Sequence, residues 1–308
     1  MMHEIQHGCG VYRIKAADGS AEACVVPELG AVLSSLRLPG KQGLREVLFQ
    51  HSHFWDRDTA HTRGGLPFLF PICGRLERDG DPGAYLYDGL VYHLPIHGFG
   101  MRLPWTIRAA EAAGVTLTLS DSDLTRAQYP FAFEVTLTFQ LAPGKLLIEQ
   151  EYRNTGAAAL PYYAGFHPYF LTPPPGEGKE EVRINFRAQS RLFYNAHLTH
   201  VVGRGVAPAL PARVTDEALR ECLSELGAHK EAELLYPDGT VLHTEAEGIA
   251  DRDLFPLIQL YTAPEHPFFC VEPWMAFPNA LNTVKGCRWL APGQVERGRL
   301  KVWTSLID

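Results

Sequence analysis

Glycine and proline are spread along the whole chain, 28 and 23 of them among 308 residues, and they divide it into short runs of β-type sequence. Punctuation this frequent excludes a coiled coil or a bundle of long helices. Apolar and polar residues alternate over 115–120 and 131–141, the pattern of strands with one buried face. Ala142, Pro143, Gly144 and Lys145 then lead into 146–152, which reads as a hairpin; Pro237, Asp238 and Gly239 join 232–236 to 240–244 in a second one. Further strands are expected at 182–188, 257–262, 268–272 and 300–306. One segment has helical spacing: Thr215 or Asp216 caps a turn carrying Leu219, Leu223 and Leu226, with Gly227 as its stop. The length allows two domains at ~150 residues each. Evenly scattered turns and the lack of a long linker favour one: an all-β, large antiparallel β-sandwich with few short helices, a single domain over 1–308.

Composition narrows the function. Apolar residues make up 46% and charged residues 20%, as in a soluble globular protein. A net charge of −7 argues against nucleic acid as a partner. No run of 18 apolar residues exists and the first residues lack a secretory pattern, so no membrane segment is expected and a cytoplasmic location is. The six cysteines form no CxxC and no zinc-finger spacing with histidine, which makes them reduced, buried thiols. No βαβ alternation and neither GxGxxG nor GxxxxGK[ST] occurs, which argues against nucleotide-binding α/β folds, and no metal or other cofactor is expected.

Four patches depart from ordinary strand or turn sequence. Residues 62–76 bracket an apolar stretch with Gly, Pro and two arginines, Arg63 and Arg75, whose forked guanidinium groups suit ligand binding if they face a pocket and the surface if they do not. Residues 97–105 set His97 beside glycine, Phe99 and Trp105. In 162–170 His167 stands among aromatic residues, and Pro168 restricts its backbone to an extended conformation. In 268–283 Glu272 ends an almost wholly apolar run, where a carboxylate needs either a partner, such as a buried arginine, or a task. No Ser or Cys nucleophile motif and no matched glycosidase carboxylate pair is visible. A base, an acid, arginines and aromatic faces together suit proton transfer on a sugar.

These patches, RGGLPFLFPICGRL (63–76), HGFGMRLPW (97–105), GFHPYF (165–170) and VEPW…NALNT (271–283), resemble in identity and order the aldose 1-epimerase (galactose mutarotase-like) family, in the branch close to LacX-type proteins and hexose-6-phosphate epimerases. The resemblance implies a mutarotase-type β-sandwich with a sugar across a concave sheet. It implies His167 as general acid, Glu272 as general base, His97 and Arg75 as substrate-binding residues, and Arg63 as a further binding arginine of the phosphosugar branch. The classical family pattern adds a hydroxyl-binding Asp, for which Asp216, Asp251 and Asp253 are candidates, and an Asn-Arg pair that is Gly74-Arg75 here. The implied activity interconverts α and β anomers of an aldohexose, with acid and base on opposite sides of the anomeric centre. Glucose 6-phosphate as substrate, or a non-catalytic sugar-binding sandwich, are the alternatives.

Overall fold

The computed structural model describes residues 2–57 and 63–307; Thr62, the first residue of the first patch, and the side chain of Arg252 lie outside the described set. The alternating runs become strands because one face of each can be buried. In Phe133–Ala142 the buried residues are Phe133, Val135, Leu137, Phe139 and Leu141, and in Lys145–Asn154 they are Leu146, Ile148, Gln150, Tyr152 and Asn154. Ala142 stands opposite Lys145, so Pro143 and Gly144 make the turn, with Gly144 at φ +62°. Glycine adopts that left-handed conformation without a Cβ clash.

Two large sheets pack face to face. One has nine strands in the order Thr106–Ala110, Gly114–Ser120, Phe133–Ala142, Lys145–Asn154, Val295–Leu306, Thr240–Gly248, Glu231–Leu235, Arg183–Phe186, Ala212–Arg213. The strand latest in the chain therefore lies at the middle of this sheet. The other has eight: Val201–Gly205, Ala188–Tyr194, Cys222–Leu226, Leu257–Tyr261, Phe268–Trp274, Gly165–Phe166 and Phe68–Leu69 in order, with Tyr169–Leu171 also paired to Phe268–Trp274. A five-stranded meander over Met2–Gln6, Cys9–Lys15, Glu22–Val26, Val32–Gly40 and Gly43–Glu46 completes the large sheets. The ladders between these strands are antiparallel, and strand outweighs helix 51% to 6%, as the turn-rich sequence predicts. Among the described residues no helix is long and apolar enough to cross a membrane.

Aromatic rings from the first patch fill the space between the sheets. The Phe70 ring centroid lies 4.9 Å from that of Phe133 and 6.3 Å from that of Tyr152, and Phe68 lies 6.2 Å from Tyr152. Burying each such ring contributes about 1.5–3 kcal/mol. One contiguous core draws on residues from Ile14 to Val302. All six cysteines are free; five are buried and Cys287 is half-buried.

The expected helix at 215–227 does not form. Asp216 does cap a turn, accepting from the Ala218 N–H at 2.9 Å, but the turn is a 3-10 segment, Glu217–Leu219, and Glu221 at φ +50° ends it. Cys222–Leu226 is a strand between Ala188–Tyr194 and Leu257–Tyr261, with Cys222, Leu223 and Ser224 all buried. Ladder hydrogen bonds and burial on both faces outweigh a weak i, i+4, i+7 pattern, because leucine spacing alone does not specify a period.

The first patch is joined to the second at Gly98, which forms a parallel bridge with Phe70 at φ +68°. A Cβ there would lie 2.3 Å from the Phe70 carbonyl oxygen, whereas one on Gly89, at φ +74°, would meet nothing within 4 Å. Both substitutions by alanine carry the left-handed backbone cost of ~1–2 kcal/mol. Only Gly98→Ala must also displace backbone, so urea unfolding is expected to show it losing at least about twice as much stability as Gly89→Ala. Equal losses would mean that the junction relaxes freely.

Candidate active site

Strand Phe268–Trp274 is buried on both faces. Phe269 and Val271 enter the main core, while Phe268 and Cys270 pack with Tyr169 and Ala263; Glu272 continues the second set by the two-residue period of a strand. Its carboxylate is 1% exposed and lines a cleft of about 490 Å³ together with His167, His97, Arg75 and Trp274. His167 Nε2 lies 3.3 Å from Glu272 Oε1. Acid and base candidates are thus neighbours at one place in the cleft, not flanks facing each other across it. That suffices chemically, since the ring oxygen and the C1 hydroxyl of a pyranose are bonded to the same carbon.

The four patches are wall segments of this one cleft. Gly165 pairs with Leu69 and with Trp274, and the His167 N–H donates to the Pro67 carbonyl at 3.0 Å. The Gly74 N–H donates to His97 Nδ1 at 3.0 Å, and the His97 N–H returns a bond to the Gly74 carbonyl at 2.9 Å. Asn279 holds the far side: its N–H donates to the Arg75 carbonyl at 2.9 Å, and its side chain bridges the N–H and carbonyl of Glu77 at 3.1 and 2.9 Å. Gly74, at φ +81°, lets the Trp274 ring approach, since a Cβ would lie 3.2 Å from it.

Protonation follows from this geometry. Burial pushes the Glu272 carboxyl well above the usual carboxylate range; the nearby Glu221 charge pushes it further, and a 3.2 Å bond from Trp274 Nε1–H opposes the rise. Burial pushes His167 down to about 3. Two such groups in contact share one proton between them, because burial disfavours a net charge on the pair. His167 Nδ1 has no hydrogen-bond partner among the described residues, so the tautomer follows from the contact of Nε2 with Glu272. His97 differs. Burial, with the charges of His167, Arg102 and Arg75, keeps its ring neutral, and Nδ1 already accepts from Gly74, so its proton is on Nε2.

Of the residues expected at the site, His167, Glu272, His97 and Arg75 are brought together and Arg63 is not. Arg63 is buried and donates to the carbonyls of Phe54, Asp56 and Arg57, clamping the 54–57 loop. The next residues, Gly64 and Gly65 at φ +90° and +68°, turn the chain so that the guanidinium lies over that loop. Arg75 is exposed, and among the described residues its side chain makes no hydrogen bond or ion pair, so it does not neutralise Glu272. The arginine accompanying it in the cleft is Arg102, which bonds the Gly98 and Ile96 carbonyls at 3.3 and 3.4 Å.

The three aspartates considered for hydroxyl binding do not line the cleft. Asp216 caps its turn, Asp251 pairs with Arg288 at 3.3 Å and Asp253 with Lys230 at 3.0 Å. The additional carboxylate is Glu221, raised above its usual pKa by burial, accepting from Gln259 Nε2 at 3.1 Å; Gln259 Oε1 in turn accepts from the Tyr194 hydroxyl at 2.7 Å. Gln259 stands opposite Glu272 in the strand ladder. His167, Cys270 and Glu272 also place one ligand-type atom each within 4.8 Å of one another, as do Glu231, Glu233 and His243 on the other large sheet. Burial holds the Cys270 thiol protonated, so a cation at the first trio has to displace that proton.

A buried carboxyl paired with a histidine, in a cleft lined by polar and aromatic groups, suits proton transfer on a small hydroxylated molecule. Residues 12–303 match the aldose 1-epimerase family model, and the chain belongs to that family of sugar-epimerising isomerases. It is 24% identical over 266 residues to the chromosomal LacX protein of Lactococcus lactis subsp. lactis, covering 82% of this chain and 85% of that one. Among solved structures it is similar to Slr1438 of Synechocystis sp. PCC 6803 (25% identity, TM-score 0.83, covering 99% of this chain and 100% of that one). A galactose mutarotase related enzyme from Lactobacillus acidophilus shares the fold (22% identity, TM-score 0.80, covering 97% and 98%).

The two arginines separate by stability. Arg63→Ala removes the hydrogen bonds that hold 54–57, one of them to the carbonyl of buried Phe54, and is expected to cost about 1–3 kcal/mol, whereas Arg75→Ala, at an exposed unpaired position, is expected to stay within about 0.5 kcal/mol of the parent. Denaturant midpoints check both; a large loss from Arg75→Ala would assign it a structural role.

Proposed function

We propose that the chain is an aldose 1-epimerase that interconverts the α and β anomers of an unmodified aldohexose by opening and closing its ring. The observation that carries this reading is the 3.3 Å contact of His167 Nε2 with Glu272 Oε1 inside a cleft of sugar-binding character. Glu272 takes the proton of the C1 hydroxyl while His167 delivers one to the ring oxygen. The bond from C1 to the ring oxygen breaks, C1 becomes the aldehyde carbon, and rotation about C1–C2 turns its other face to the hydroxyl. The reverse transfers then close the ring. His97 Nε2–H and the Arg75 fork donate to sugar oxygens, and Glu221 accepts from a hydroxyl.

The proton arithmetic favours this assignment. At rest burial holds the shared proton on Glu272; ring opening starts when it has passed to His167 across their contact and ends with a proton again on Glu272, so the pair carries the same net charge throughout. No net charge is created in a site that cannot solvate one. Atoms and electrons are conserved within the sugar, so the reaction calls for no redox or group-carrying partner.

Polarimetry of freshly dissolved α-glucose, α-galactose and glucose 6-phosphate tests the activity directly. Glu272→Gln keeps shape and hydrogen bonding without basicity, and kcat is expected to fall by roughly 10²–10⁴ with the unfolding midpoint retained. Near-parental kcat in that variant would place the base elsewhere.

Activity requires the pair to hold one proton. It loses that proton through the raised Glu272 group and gains a second only near the lowered His167 value of about 3. The alkaline limb of kcat/KM is therefore expected above the ordinary carboxylate range. The negative charge of Glu221 helps to retain the Glu272 proton, so Glu221→Gln should move that limb to lower pH. A limb that does not move assigns the alkaline titration to another group.

A further inference from the structure

Glu272 has a neighbour that ring opening does not use. Cys270 precedes it by two residues and so shares its face of the strand. Tyr169 and Tyr261, both lining the cleft, stand opposite Cys270 in the ladders on either side. The thiol is wholly buried, and His167 and Glu272 are 5% and 1% exposed. One ligand-type atom of each of the three lies within 4.8 Å of those of the other two. Among the described residues no hydrogen bond engages the Cys270 sulfur.

Thiolate, imidazole and carboxylate together select zinc-type divalent ions, whereas magnesium and calcium take oxygen. At tetrahedral zinc, bonds of ~2.0–2.2 Å set a nitrogen and an oxygen about 3.3–3.5 Å apart. His167 Nε2 and Glu272 Oε1 are already 3.3 Å apart, and the Trp274 indole N–H occupies the other carboxylate oxygen, leaving Oε1 for the ion. A bonded sulfur lies about 3.6 Å from either atom, so the Cys270 thiol falls short by at most about 1.2 Å, within the sweep of its χ1 rotation. The binding step also balances in charge. The acid–base pair holds one proton and the thiol another, and a divalent cation on all three displaces both. With Nε2 on the ion, Nδ1 carries the ring proton and meets no acceptor among the described residues. A ligating histidine without that outer partner binds ~10–100-fold more weakly, which makes the ion exchangeable.

We propose that His167, Cys270 and Glu272 form an inhibitory site for a zinc-type divalent cation, held through Nε2, the sulfur and one carboxylate oxygen, with its fourth position open to the cleft. The ion occupies the general acid and the general base at once, so a molecule that holds it opens no sugar ring. The inhibition rests on the epimerase reading; the binding of the ion does not.

The test uses Zn²⁺ for binding and inhibition and Co²⁺ as a coloured probe, both on the His243→Ala protein, which lacks the histidine of the sulfur-free cluster with Glu231 and Glu233. Co²⁺ is expected to give the near-ultraviolet thiolate-to-cobalt charge-transfer band and the strong visible absorption of a four-coordinate ion. Cys270→Ser, added to that background, should abolish the charge-transfer band and weaken Zn²⁺ in equilibrium dialysis tenfold or more. Glu272→Gln, which keeps the thiol but loses the carboxylate, should weaken Zn²⁺ to a similar degree, and decides the matter if the serine variant does not fold. In polarimetry, saturating Zn²⁺ is expected to lower turnover at least tenfold, reversibly on chelation. Cys270→Ser, compared with its own metal-free rate, should need tenfold or more Zn²⁺ for the same inhibition. Absence of the thiolate band, its persistence in Cys270→Ser, or turnover unchanged or raised by bound zinc overturns the proposal. If no sugar is turned over without metal, the epimerase reading fails separately. The cobalt band and its loss in Cys270→Ser then sustain the metal site by themselves, and their absence overturns it.

Discussion

Glu272 lies in a strand whose seven residues are all buried, and the cost of removing its carboxylate from water organises what surrounds it. No cation compensates it among the described residues; its neighbours are an indole N–H from Trp274 and the His167 ring. The folded state therefore holds its proton more tightly than the unfolded chain does. A carboxyl with a raised folded pKa contributes stability below its unfolded pKa and loses it as pH rises through the folded value. Around neutrality the site is thus a drain on stability, offset by the aromatic and aliphatic packing between the two sheets. Such a residue persists where reactivity is worth more than stability.

The walls that keep the pair in place are irregular backbone, yet they are not loose. Gly74 and His97 bond each other reciprocally, Phe70 and Gly98 touch through backbone, and Asn279 spans Arg75 and Glu77. Each bond satisfies a polar group that a strand ladder would otherwise have satisfied. The result is a rigid rim around a sheet surface, which keeps His167 and Glu272 at a fixed separation.

Much of this was legible in the chain itself, for identifiable reasons. Glu272 stood out because a carboxylate in an apolar run contradicts its surroundings, and His167 because proline and aromatic neighbours fixed its setting. The hairpins at Gly144 and Gly239 were legible because both glycines take left-handed φ angles that other residues avoid. Glu221 and Gln259 carried no such signal: they enter the cleft through strand register, which pairs residues far apart in sequence. Arg102 sat inside a quoted segment but reads as one more surface arginine until the chain turns at Gly98. Arg63 shows the converse, since two successive left-handed glycines redirect it from the cleft to a loop. The leucines at 219, 223 and 226 fitted a helix by spacing alone, but Leu219 ends a 3-10 turn and only Leu223 and Leu226 belong to the strand.

The position of Val295–Leu306 has a consequence for how the chain reaches this state. It is hydrogen-bonded to Lys145–Asn154 on one side and to Thr240–Gly248 on the other, so the nine-stranded sheet exists as two separate pieces until it is in place. On a ribosome adding ~5–20 residues per second, both pieces wait for seconds with an unpaired edge facing the gap. Strand Phe268–Trp274, which carries Glu272, is made within that interval, against a sandwich still missing its central rung. Assembly of the site and closure of the sheet are therefore late and nearly simultaneous events, and the interval before them is when the nascent protein is most exposed to pairing with the wrong neighbour.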